Sequence, residues 1–297
     1  MAGSAATTFS RRGVPAGSLA ANSDANSHSA ARVSFSSSRR HPMAAMLHDL
    51  DFPGLARWGA ERVPAALFWT VSGSHLYGFP SVDSDIDLRG CFLAPLRSVI
   101  GLKSPPETVE PKGVLAGLEV EAVSHEVGKY LRLLCKHNGY VLEQIFSPLV
   151  VSGADFLARL RPLATQCVTR HCYHHYRGFL QTQRKLMQKE PVVRAKTLLY
   201  AYRVAMTGVH LLETGTVESH LPTLNERFGL SYIPELVARK VDAEATPLTG
   251  TDAAFHHSEL DGWEQRLDQA FAGSKLPDDA PVDLLNEFVV ELRLERS

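Results

Sequence analysis

Cysteine is scarce in this chain: four thiols in 297 residues, Cys91, Cys135, Cys167 and Cys172, with no C-x-x-C pair of the kind that builds structural zinc sites. Free thiols in a reducing cytoplasm are the expectation. Long apolar runs are missing as well. The longest candidate, Pro64 to Val71, has the length of an interior strand and falls short of the roughly 18 residues a membrane helix needs, so no membrane partner is expected. Nor is there an excess of charge: 31 Lys and Arg against 32 Asp and Glu leave −1, so no global field draws the chain to nucleic acid. Any such attraction has to come from a local basic patch. What is present is a 44% hydrophobic share, enough for a proper core, in a length that suits one large domain or two ordinary ones.

Residues 1–42 are rich in Ser, Ala and Arg, hold five arginines against the single acid Asp24, and contain almost no large apolar residues. Disorder is expected there. Two origins fit this composition, a transit-like segment and an upstream extension before a start at Met43 or Met46. From Asp51 the pattern turns globular. A short helix around Leu55 to Arg62 leads into a buried strand, Ala65 to Val71, followed by strands at about Asp85 to Leu93 and Leu118 to Ser124. His125 to His137 reads as an amphipathic helix stopped by Asn138-Gly139. After Pro148 long helices take over, roughly Ala154 to Gln188, Val192 to Glu213 closed by Gly215, Pro222 to Arg239, Leu260 to Phe271 and Val282 to Leu294, with a loop around Thr246 to Thr251. The expected fold class is α+β, a core at 51–150 with a small mixed sheet, followed by a helical domain at 151–297.

The most informative stretch is Gly73-Ser74, ten residues, then Asp85-Ile86-Asp87. Side chains alternate along a strand, so Asp85 and Asp87 share one face while Ile86 and Leu88 point to the other, apolar side. Unprotonated carboxylates held that close repel unless something cationic sits between them, most economically a pair of divalent ions. Mg2+ is the natural candidate, with Mn2+ as the alternative, because it takes oxygen ligands and nucleotide phosphates. The third strand adds Glu119 and Glu121 on one face, both candidates for a third carboxylate. Arg89, on the aspartates' face, suits a salt bridge that stiffens the acids.

The stretch SGSHLYGFPSVDSDIDLRGCFL closely resembles the nucleotide-binding signature of the DNA polymerase beta-like nucleotidyltransferase superfamily. More narrowly, Tyr77-Gly78, Ser84 to Gly90, Lys129-Tyr130-Leu131, Asn138 and Leu142-Glu143 are similar to the predicted RNA-repair nucleotidyltransferases called RlaP. The resemblance implies that Gly73 and Ser74 open a helix holding the nucleotide phosphates, and that Asp85 and Asp87 bind metal. It implies the same for Glu121, favoured over Glu119 by its distance from the following helix, as the last metal-binding carboxylate. It also implies a basic helix closing over the triphosphate, which Lys196, Tyr200 and Arg203 fit at i, i+4 and i+7. The same stripe is what a solvated helix face looks like.

The activity implied is metal-dependent transfer of a nucleoside monophosphate from an NTP to an acceptor hydroxyl with release of pyrophosphate. The expected acceptor is an RNA end under repair, with a protein hydroxyl or a small molecule as alternatives. A different class remains open, a module that holds nucleotide or RNA without chemistry, or an antitoxin-like partner. His171, His174 and His175 with Cys172 have helical spacing at which side chains can share a metal, although such histidines more often pack or face solvent.

Overall fold

Ala66–Val71 (β1) carries Leu67-Phe68-Trp69-Thr70-Val71, every residue of it buried, and this double-sided burial puts the strand inside the sheet rather than at its rim. The computed structural model describes residues 50–190, 192–242 and 250–296, so the stretch 1–42 lies outside the described residues. Before β1 comes α1 (Phe52–Arg62), whose capping residue Asp51 accepts a hydrogen bond from the Gly54 amide at 2.8 Å. After it come α2 (Gly73–Tyr77), β2 (Ile86–Phe92), α3 (Leu96–Ile100), β3 (Thr108–Val109), β4 (Lys112–Leu115) and β5 (Leu118–Glu126). Next are α4 (Val127–Cys135), α5 (Gly139–Phe146) and β6 (Val150–Ser152).

The sheet runs β3-β5-β2-β1-β6, with β4 also paired to β5. β2 and β5 are parallel, and the other pairs are antiparallel. The mixed α+β class is therefore as expected. From residue 154 on the described chain is helical: α6 (Ala154–Gln166), α7 (Cys172–Lys189), α8 (Ala195–Thr214), α9 (Leu221–Phe228), α10 (Ile233–Asp242), α11 (Gly250–Gly273) and α12 (Val282–Glu295). The described residues form one compact unit.

Several expected boundaries shift. The helix expected over 154–188 is two helices broken at 167–171, and that expected over 222–239 is two helices separated after a left-handed Gly229 with φ of 70°. Asn138, expected to stop a helix, also starts one, its side chain accepting from the Val141 amide at 3.3 Å. Gly250 and Thr251, expected in a loop, open α11, whereas 246–249 lie outside the described residues. No helix among the described residues is long and apolar enough to cross a membrane.

Helix α8 is the hub of the helical half, buried almost all round and packed by α7, α9, α10 and α11. One of its buried residues is Arg203, fully inaccessible, with Nη1 donating to Glu143 Oε1 of α5 at 2.8 Å. Its guanidinium also lies 3.9 Å from the ring centre of Tyr77, the last residue of α2, and the Tyr77 hydroxyl donates to Glu143 Oε2 at 3.3 Å. Three elements from both halves meet at one charged group. Removing one partner of such a pair strands the other charge in the core, so Arg203→Met should cost about 3–5 kcal/mol in urea unfolding. Arg203→Met combined with Glu143→Leu should recover most of it, and a double variant no more stable than the single would show that packing, not charge, sets the cost.

Candidate functional site

Asp85 is exposed and Asp87 half-buried at the start of β2, while Ile86 and Leu88 between and beyond them are in the core, as strand alternation requires. The chain reaches this point from α2, and Ser72, just before that helix, donates its amide to the Asp87 carbonyl at 2.8 Å. Gly73 follows in the left-handed region with φ of 64°, and a Cβ there would stand 1.9 Å from Asp87 Oδ2. Glycine is required twice over, by its backbone angle and by the carboxylate lying against it. The Ser74 hydroxyl is close by in sequence and largely buried. A helix of five residues contributes little macrodipole, so anion contact at this bend rests on its N–H groups and that hydroxyl.

Parallel pairing sets Asp87 of β2 directly beside Glu121 of β5, on the same sheet face. Arg89 fastens this face: Nη2 donates to Asp87 Oδ1 at 2.6 Å, and Nη1 to the carbonyls of Leu88 at 2.8 Å and Glu121 at 3.1 Å. It stiffens the acids, as the sequence suggested. Glu121 accepts at Oε1 from Lys112 Nζ of β4 at 2.5 Å, a contact that holds its carboxyl below the usual range. Glu119 is exposed two residues earlier, paired in register with Val114.

Among the described residues no group of three or more His, Cys, Asp or Glu stands close enough to hold a metal ion. Asp85, Asp87 and Glu121 therefore share a face without converging. Their donor chemistry, all carboxylate oxygen, fits a hard divalent cation at the aspartate pair, and Glu121 enters that set only by giving up its lysine.

Lys196 is exposed at the first turn of α8, and its charge helps to hold the Asp83 carboxyl below its usual value, behind a hydrogen bond with Ser81. Tyr200, one turn on, packs edge-on against Tyr77 and Phe79, with ring centres 5.7 and 5.4 Å away. Tyr200 thus faces α2, as Arg203 does through Tyr77, whereas the spacing predicts only that the three residues share a face. Arg203, at its far end, is different. Expected to contact a nucleotide, it is instead sealed in the core on Glu143 and Tyr77, out of reach of any ligand at the acids in this conformation.

His75 of α2 is largely buried, and burial pushes its imidazole down, a hydrogen bond with the Ser84 backbone and the Asp87 carboxylate partly offsetting the effect. It is a neutral neighbour of the acids. Sequence reasoning missed Lys240 of α10, which donates to Ser81 Oγ at 2.8 Å and Ser84 Oγ at 3.1 Å in the loop before Asp85. The available signal was its place at i+7 and i+4 from Ile233 and Leu236, the inward positions of α10.

Of the histidines weighed as a metal cluster, His171 and His174 stack with ring centres 5.6 Å apart, and among the described residues no third ligand joins them. His175 packs edge-on against Tyr140 and Tyr176, whereas His171 Nε2 faces Asp278 Oδ1 at 3.5 Å. Burial, aided by the Arg203 charge, pushes His175 down to about 4. Because the unfolded chain titrates near 6.5, it binds the extra proton first. Stability should therefore fall as pH drops from about 6.5 to about 4. The urea midpoint of His175→Leu should be less sensitive to pH across that window than the parent's; equal slopes would put the titration elsewhere. At the bend, Gly73→Ala should cost about 1–3 kcal/mol in the parent, but only about 1 kcal/mol in an Asp87→Ala background, where the clash is gone and the backbone angle remains. Identical costs in the two backgrounds would refute the contact.

Residues 53–291 match the RNA repair pathway DNA polymerase beta family. An uncharacterized protein of Methanocaldococcus jannaschii is 35% identical over 156 residues, which are 52% of this chain and 63% of that relative. A solved nucleotidyltransferase-like protein from Exiguobacterium sibiricum 255-15 aligns at 13% identity over 84% of this chain and 76% of its own, with a TM-score of 0.28. With most of its described length inside the family match, this chain belongs to the RNA repair pathway DNA polymerase beta family.

Proposed function

We propose that this protein transfers a nucleoside monophosphate from an NTP to the hydroxyl of an RNA end, releasing pyrophosphate. The observation that carries the reading is the contact between Asp87 and the Gly73 bend, which sets a carboxylate against the turn that Ser74 continues. Acid and anion-holding groups need that proximity if one side of the site is to manage metal and the other phosphate. Asp85 and Asp87 would hold a divalent cation, Mg2+ or Mn2+, with Glu121 joining them once released from Lys112. When bound, such a cation neutralises charge on phosphate oxygens and acidifies an acceptor hydroxyl.

The chain's own groups do the rest. Arg89 keeps Asp87 in a single orientation, so little reorganisation is needed when substrate arrives. Lys196, exposed near the acid loop, supplies a point charge for phosphate, and Ser74 supplies a hydroxyl donor. Glu121, more solvent-accessible than Asp87, would accept the acceptor's proton once released from Lys112.

A non-catalytic module that only holds nucleotide or RNA has one observation in its favour, namely that Asp87 and Glu121 already carry cationic partners. Incubation of the purified protein with labelled NTPs, Mg2+ and mixed RNA separates the two. Label added to RNA supports the transferase, label on protein or on a small molecule redirects the acceptor, and tight binding without product supports the module. In the transferase, Asp87→Asn should cut transfer at least about a hundredfold while unfolding stability changes by less than about 1 kcal/mol, because Arg89 keeps its two carbonyl acceptors. Glu121→Gln should follow it in rate, and Glu119→Gln should behave as the parent. Unimpaired transfer by Asp87→Asn removes the mechanism.

A further inference from the structure

We propose that Lys240 is a positioning residue which, from α10 of the helical half, locks the turn that aims Asp85. The inference concerns the loop between α2 and β2 and rests on the reading of Asp85 as a working acid. Ser81 and Ser84 brace each other across that loop. Their hydroxyls are 2.9 Å apart, the Ser81 amide donates to Ser84 Oγ at 2.9 Å, and the Ser84 amide donates to the Ser81 carbonyl at 3.0 Å. The residue after this turn is Asp85.

Lys240 lies 159 positions from Ser81 and 156 from Ser84, yet its ammonium donates to both hydroxyls. It is 1% exposed and occupies a position on α10 that, with Ile233 and Leu236, faces inward. An apolar side chain there would bury without cost, whereas an ammonium pays desolvation and tolerates the interior only where it is well hydrogen-bonded. The contact is therefore directional in a way that apolar packing is not: it fixes the turn in register against α10 through a charged group. Both His75 and Asp83 feel that charge. The consequence is a site assembled from both halves, since β2 supplies Asp87 and α10 holds the loop from which Asp85 projects.

A plug that merely filled space would be replaceable by any side chain of the same length, and that is the basis of the test. Lys240→Met keeps the volume and removes the donors. We expect its amides at 84–88 to exchange with deuterium at least about tenfold faster than the parent's, with those of α8 unchanged. We expect kcat for nucleotide transfer to fall at least about tenfold and KM for NTP to move less than about twofold. Ser84→Ala, with Lys240 intact, should show the same local exchange, and it decides the matter where the methionine variant does not fold. Unchanged exchange at 84–88, or equal acceleration in α8, overturns the proposal, as does a raised KM at constant kcat, which would make Lys240 a nucleotide contact. A parent that transfers no nucleotide defeats the reading of the site, while the exchange measurement still judges Lys240.

Discussion

Everything at this site depends on how closely a carboxylate can approach a backbone. Asp87 Oδ2 occupies the space that a side chain on residue 73 would need, so the bend and the acid have to be specified together. The amide of Ser72, one residue earlier, is bonded to the carbonyl of Asp87, which ties the bend to the main chain of β2 as well as to its side chain. Sheet register then does the remaining placement. Because β2 and β5 are parallel and in step from Ile86 to Phe92, whatever stands beside Asp87 on β5 shares its face, and that residue is Glu121. A slip by one residue would send every acid to the core side and Leu88 to solvent.

Two buried cations stand behind this face and solve the problem of burial differently. Arg203 pairs with a carboxylate and stacks on Tyr77, so its charge is largely answered within the core between α2, α5 and α8. Lys240 meets the hydroxyls of Ser81 and Ser84, which solvate its ammonium at the loop before Asp85. The first arrangement favours a unique docking of the helices. The second ties the loop before Asp85 to α10. Both run between the sheet half and the helical half, so a disturbance of α8 or α10 reaches the site through specific bonds and not through general loosening.

Asp85, Asp87 and Gly73 were legible in the sequence because a period of two and a short spacing are local properties, and local properties survive folding. The face of Lys196, Tyr200 and Arg203 was legible for the same reason, since helical spacing fixes direction. Depth was not. Whether a residue on that face meets water or Glu143 depends on the helix packed opposite, and α5 went unforeseen because Asn138 reads equally as a stop and as a start. The short strands β3, β4 and β6, of two, four and three residues, carry too little pattern to register, so the lysine that neutralises Glu121 was invisible with them. Lys240 is the extreme case, a contact spanning more than half the chain with no periodic trace beyond a charge at an apolar position.

The counterions also rank the acids. Arg89 has two main-chain acceptors besides Asp87, so it stays in place when the carboxylate turns to another cation, and the aspartate is preset at little cost in ordering. Lys112 stands at the other extreme: it is on a short edge strand with 70% of its side chain exposed, and water takes over its hydration as soon as Glu121 leaves. Screening acts on that exposed pair far more than on the partly buried Asp87–Arg89 pair. A divalent cation at the aspartates would add attraction for Glu121 at the same moment that salt weakens its hold on Lys112. On the proposed reading, then, the third carboxylate would converge only when a cation arrives, charge repulsion being reason enough for three acids to stand apart without one.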